Sequence, residues 1–201
     1  MDHLELFNAQ IRVLKKSDYS HLLVRKLEEQ QIEVLAAVNK RTILEGQTPF
    51  LPVLPRLAFR FSALMPQVKD YPNFGDVTVI KPKQLIDIVS VPQEDPYYIF
   101  GVDDGLSAIN SKSPRQAEIV FKAARRRGLT LLEGLALYMH CGDLPDDYCL
   151  WTLNSRLLIG IHDYYVALLI QRRKIQRIYF TPNPDSRVYD FGPNIIPSCQ
   201  P

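Results

Sequence analysis

Three prolines inside one apolar string, Gly46-Gln47-Thr48-Pro49-Phe50-Leu51-Pro52-Val53-Leu54-Pro55, constrain this chain more than any other feature of it. Each proline fixes φ and removes an N–H donor, so the string can form neither a helix nor a central strand and favours extended backbone. A flexible linker would leave Phe50, Leu51, Val53 and Leu54 exposed together. The string therefore reads as an ordered apolar crossing.

Helical patterns precede it. Leu6, Phe7, Gln10, Ile11 and Leu14 recur at helical spacing, with Lys15-Lys16 in the last turn where cations favour the helix dipole. This predicts a helix over 4–16. After Ser17-Asp18-Tyr19, the period of Leu27, Ile32, Leu35, Ala36 and Val38 predicts a second amphipathic helix with one packed face. Beyond the crossing, a short helix is expected at about 59–65 and a turn at Pro72-Asn73-Phe74-Gly75. Another short helix is expected over 82–89, with Leu85, Ile86 and Val89 inward.

The second half has stronger punctuation. Tyr97-Tyr98-Ile99-Phe100-Gly101-Val102 is an aromatic and β-branched strand, turned by Asp103-Asp104-Gly105, with a short returning strand expected over 106–109. Ser113-Pro114-Arg115-Gln116 joins a capping serine, a proline at the first helical position and a glutamine at the third. Ala117, Val120, Phe121 and Ala124 make that helix's buried stripe, and Arg125-Arg126-Arg127-Gly128 should end it, with Gly128 in the left-handed conformation. Thr130-Leu131-Leu132-Glu133 at once offers a second capping box, with Leu132, Leu135, Ala136 and Met139 inward, so two short helices should be joined by a tight turn. Residues 164–170 and 175–180 are β-rich runs around Gln171-Arg172-Arg173-Lys174, a hairpin with a basic tip.

These elements predict an α+β fold: amino-terminal helices and a small, mostly antiparallel sheet including the C-terminal hairpin, packed with two short capped helices. No Gly/Ser-rich junction divides the chain, which is read as one domain over 1–201, with a helical portion 1–45, an α+β body 46–180 and an irregular tail 181–201. With 46% hydrophobic residues in 201 there is ample material for a core.

Composition narrows the function classes. The 24 basic and 22 acidic side chains leave a formal charge of +2, so nucleic acid or anionic lipid would need a local patch. The most apolar late stretch, 157–170, is interrupted by His162 and Asp163 and falls short of the roughly 20 residues a spanning helix needs. No membrane partner is expected. Met1-Asp2-His3-Leu4-Glu5 lacks the basic and apolar regions of a signal peptide, and a cytoplasmic location is expected. Cys141, Cys149 and Cys199 form an odd set and are read as reduced thiols.

Several strings resemble a bacterial family known only as a domain of unknown function. They are Pro49-Phe50-Leu51-Pro52-Val53-Leu54-Pro55-Arg56, Pro96-Tyr97-Tyr98-Ile99-Phe100-Gly101-Val102-Asp103-Asp104-Gly105, Leu129-Thr130-Leu131-Leu132-Glu133-Gly134-Leu135-Ala136-Leu137, and Cys149 with Ser155-Arg156. The resemblance runs over nearly the whole chain and departs at Asn183-Pro184-Asp185-Ser186-Arg187 and beyond, where the family is richer in tryptophan, cysteine and glycine. It implies a single folded unit and brings no activity.

Four constellations could carry chemistry. His140, Cys141, Cys149 and His162 are zinc-ligand types, but zinc ligands come in close pairs such as Cys-x-x-Cys and these do not, so no metal is expected. Asp103, Asp104 and Glu133 could hold magnesium or act as acid and base, yet a tight turn and a capping box already account for them. Arg125-Arg126-Arg127 and Arg172-Arg173-Lys174 are basic clusters without interleaved aromatics to stack bases, and nucleic acid is not expected as a partner. Ser155 lacks a nucleophile elbow, Cys141 and Cys149 lack a catalytic signature, and no glycine-rich phosphate loop occurs, so no cofactor is expected. Trp151, Tyr164, Tyr165, Tyr179 and Phe180 read as packing.

The reading that follows is a non-catalytic binding or interaction module. Its rival is a small enzyme using some of Asp103, Glu133, His140 and Arg156 in a pocket between the paired helices and the hairpin. A third reading is a self-associating protein, a possible homo-oligomer completed through the 164–180 hairpin or an amino-terminal helix face. Perturbed titratable groups gathered in one cleft would favour the enzyme, and an apolar groove the module.

Overall fold

The computed structural model describes residues 2–17, 19–59, 82–106, 113–142, 144–159, 161–182, 185 and 194–201. The first helix, α1 (His3–Lys15), buries Phe7, Gln10, Ile11 and Leu14 as its spacing predicts. The expected second helix is instead two, α2 (His21–Glu29) and α3 (Gln31–Asn39). They break at Gln30, whose Nε2 donates to the carbonyls of Lys26 and Pro96. Ile32, expected inward, lies at the surface at 81% exposure, and Val34 and Val38 are the buried residues of α3.

The proline-rich crossing is strand β1 (Thr48–Val53), paired antiparallel with β3 (Tyr97–Val102) in a two-stranded ribbon. Each strand of such a ribbon is an edge, where proline is tolerated. The ribbon carries the three helices. Phe7 stacks on Tyr98 with centroids 5.8 Å apart, and Phe50 meets Tyr98 edge-on at 6.0 Å.

The helix expected over 82–89 is corrected to a single 3-10 turn, Pro82–Gln84, followed by strand β2 (Leu85–Asp87). Leu85 is buried and Ile86 exposed, a period of two set by antiparallel pairing with Ser155, Arg156 and Leu157 rather than by local propensity. The turn expected at 72–75 lies outside the described residues, as do nearly all of the helix at 59–65 and the strand at 106–109.

The sheet is built on β5 (Tyr148–Ile159), β6 (His162–Gln171) and β7 (Lys174–Thr181), in the order β2-β5-β6-β7, with β8 (Asn194–Ile195) parallel to β5 beside β2. The hairpin expected at 164–180 is β6–β7. Strand β5 has no counterpart among the sequence expectations. Its side chains alternate between two buried faces. Leu150, Leu157, Val166, Leu168 and Phe180 face one core with α5 (Leu131–His140), while Cys149, Trp151, Leu153, Ala167 and Leu169 face another with Ala117 and Phe121 of α4 (Pro114–Ala123).

The two capped helices therefore lie on opposite faces of the sheet and are not a side-by-side pair. Between them β4 (Arg127–Gly128) pairs with β9 (Ser198–Cys199). The left-handed residue after α4 is Arg125, at φ 52°, and not Gly128. Gly128 has a different reason to be glycine: a Cβ there would stand 2.7 Å from the Cβ of Leu153.

Residues 194–201 are ordered into the body, with Ile195, Ile196 and Cys199 fully buried and Ser198 exchanging backbone hydrogen bonds with Asp103. The whole is an α+β arrangement of helices and mostly antiparallel sheets, and among the described residues no helix is long and apolar enough to cross a membrane.

Candidate functional site

The densest polar chemistry surrounds the start of α5, where both halves of the predicted capping box form. Thr130 N donates to Glu133 Oε2 at 2.7 Å, and Glu133 N donates to Thr130 Oγ1 at 3.3 Å. Glu133 is fully buried, and Arg127 meets it with two prongs, Nη1 to Oε2 at 2.7 Å and Nη2 to Oε1 at 2.6 Å. The Tyr97 hydroxyl adds a fourth donor at 3.2 Å. Burial would pull the Arg127 guanidinium down, but its bonds to Glu133 and that carboxylate's charge outweigh burial and hold it above the ordinary value. Burial, then the Glu133 charge, keeps the Tyr97 phenol protonated far above its usual range.

A second chain of bonds reaches the same helix end. Leu131 N donates to Ser155 Oγ at 2.7 Å, and Ser155 Oγ donates to Asp87 Oδ1 at 2.5 Å. Ser155 is thus a link between a helix amide and a carboxylate, with no histidine beside it in that chain. Burial raises the Asp87 carboxyl above the usual range; bonds from Ser155 and Gln93 oppose this. The adjoining recess, lined by Arg56, Leu85, Asp87, Leu131, Leu132 and Ser155, holds about 10 Å³. That is room for one water and not for a substrate. Three amides of the first turn are already bonded within the protein, which leaves this helix end no ready anion site.

The structure does not gather the four sequence candidates. Asp103 accepts from Gly105 N at 2.8 Å and Asp104 from Leu106 N at 2.9 Å, so both serve the turn. Arg156 lies on the opposite face of the sheet from α5. There it donates to Glu118 at 2.8 Å, sits 3.5 Å from Asp163, and covers the Tyr165 ring at 3.9 Å. His140 ends α5, about 10 Å along the helix from Glu133 at 1.5 Å per residue. Neither of its ring nitrogens has a hydrogen-bond partner, and burial lowers its pKa to about 4.

Other sequence clusters are dispersed as well. Of Arg125-Arg126-Arg127, Arg127 pairs with Glu133 while Arg126 donates to Gly101 O at 2.6 Å and Ser198 Oγ at 2.7 Å. Cys149 is buried in the α4-facing core, while His162 is exposed at the start of β6. Among the described residues no three His, Cys, Asp or Glu side chains are placed to hold a metal ion.

A cleft of about 260 Å³ opens elsewhere, between the C-terminal end of α5 and the β6–β7 turn. Tyr138, Met139 and Cys141 come from α5 and its end, Leu144 from the following loop, Tyr148 from β5 and Arg173 from the turn. The helix α4 takes no part in it, and none of Asp103, Glu133, His140 and Arg156 lines it. Burial raises the Tyr148 phenol well above its ordinary range.

The turn beside the cleft is unusual. Arg172 and Arg173 have φ of 50° and 56°, the left-handed region that a two-residue hairpin turn normally fills with Asn-Gly. The loop after α5 holds them there. Asp147 Oδ1 accepts from Arg172 N at 2.6 Å, Asp146 O accepts from Arg173 N at 2.9 Å, and Asp146 Oδ1 accepts from Arg173 Nε at 2.5 Å. The Tyr138 hydroxyl donates to Arg173 O at 2.8 Å. Sequence reasoning marked the basic tip and Cys141 but missed Tyr138, Leu144 and Tyr148, because nothing in the sequence brings α5's end to a turn some 30 residues later.

Fold and cleft together define an α+β protein with an antiparallel sheet faced by a helix on each side and an apolar opening at one helix end. This chain belongs to DUF5701, a family of unknown function whose model matches residues 13–170. The match includes the cleft's α5 and β5 walls and ends before Arg173. No curated protein and no solved structure matches the chain.

Proposed function

We propose that the chain is a non-catalytic binding module whose ligand seats in the cleft between α5 and the β6–β7 turn. The observation that carries this reading is the separation of polar chemistry from open space. Glu133, fully buried, is consumed by Arg127, Thr130 and Tyr97, whereas Tyr138, Met139, Leu144 and Tyr148 wall the cleft and no carboxylate or imidazole stands among the described residues that line it. A site that binds without reacting needs shape and apolar surface with a few polar groups to orient the ligand.

Cys141 supplies the test. Cys149 and Cys199 are buried, and burial pushes the Cys199 thiol up to about 12, so a maleimide should label Cys141 first. Protein freshly purified from its host should show a retained small molecule by native mass spectrometry, and exhaustive dialysis should raise the rate of Cys141 labelling. An unchanged rate together with a bare protein mass would count against the cleft.

A further inference from the structure

Resting on the binding reading above, we propose that the cleft takes a small aromatic carboxylate, its ring between Tyr138 and Tyr148 and its carboxylate on Arg173. The size and the walls point to the ring. A volume of about 260 Å³ suits one or two rings, and tyrosines with Met139 and Leu144 offer aromatic and thioether contacts to a flat apolar body.

The carboxylate follows from the turn. A two-residue turn of arginines in the left-handed region is disfavoured against Asn-Gly, and here the backbone of both residues is fixed by Asp146, Asp147 and Tyr138. Those bonds set the base of the Arg173 side chain; Arg173 lines the cleft, and its planar fork matches a carboxylate. Arg173 already meets Asp146, but both side chains are about two-thirds exposed, at 69% and 68%. An exposed pair of this kind is weak enough for a bound carboxylate to share or replace it.

The test uses phenylacetate and its neutral counterpart phenylacetamide, with protection of Cys141 from maleimide as the readout. Phenylacetate should slow labelling of the native protein, and phenylacetamide should need at least tenfold more for the same protection. Arg172→Gly and Arg173→Gly both place glycine at a left-handed position, so each should fold with an unchanged or higher Tm. R172G should keep phenylacetate protection and R173G should weaken it at least tenfold. Equal protection by the two compounds, or by R173G and native protein, overturns the carboxylate assignment while leaving the cleft as a binding site. Protection by neither compound overturns this inference outright, and the cleft reading is then judged by the dialysis result alone.

Discussion

Arg127 and Glu133 meet inside the protein as a two-pronged ion pair, at 2.7 and 2.6 Å, with the carboxylate fully buried and the arginine side chain 19% exposed. The same carboxylate closes the α5 capping box, so one side chain ties β4, α5 and Tyr97 of β3 together.

Removing one member of that pair should be far worse than removing both. Glu133→Ala leaves a buried guanidinium without its partner and should destabilise the protein by about 3–5 kcal/mol. The double variant R127M/E133L should recover a large part of the loss, because it buries no charge. Urea unfolding of the two single variants and the double variant closes the cycle, and additive losses would contradict the coupling.

His140 should make the fold acid-sensitive. Its folded pKa of about 4 lies below the ordinary 6.5, so the unfolded chain takes up the proton first as pH falls. Stability is complete above about 6.5 and declines toward pH 4, by roughly 3 kcal/mol at most for a shift of this size. His140→Leu should flatten that part of the profile of unfolding free energy against pH.

Asp87 acts in the opposite sense. Burial raises its carboxyl, so the folded state holds the proton more tightly than the unfolded state, and this group adds stability as pH falls through its raised value. Asp87→Asn imitates the protonated form and can still accept from Ser155. Relative to native protein, D87N should gain most near neutral pH, and the difference should shrink on acidification. A difference that grows on acidification would reverse the assignment.

Gly134 should resist the usual helix-stabilising substitution. Alanine is favoured over glycine in a helix by about 1 kcal/mol, but a Cβ here would stand 2.6 Å from Thr152 Cγ2. The clash lies between α5 and the sheet, where overpacking costs about 1–3 kcal/mol. Gly134→Ala should therefore destabilise, by about 1 kcal/mol, in chemical denaturation.

Local signals carried much of this fold. The capping boxes at Ser113 and Thr130 form as their spacing predicts, as do α1 and the β6–β7 hairpin. Strand β5 was hidden because both its faces are buried and Thr152, Asn154, Ser155 and Arg156 interrupt its apolar run. Each of those polar side chains finds a distant partner: Thr152 donates to Val166 O, Asn154 to Gly128 O, Ser155 to Asp87 and Arg156 to Glu118. No local pattern announces such partners. The cleft was illegible for a related reason, since it forms only where residues 138–148 meet Arg173, about 25 residues further on, and no local pattern announces that meeting.

The placement of β9 has a consequence for how the chain is made. Arg127 and Gly128 find their strand partners only at Cys199 and Ser198, and Asp103 also waits for Ser198. A ribosome delivering about 5–20 residues per second completes that pairing roughly 4–14 s after β4 itself emerges. Through that interval the β9-facing edge of β4 lacks its backbone partners, and Ser198 and Cys199 supply them.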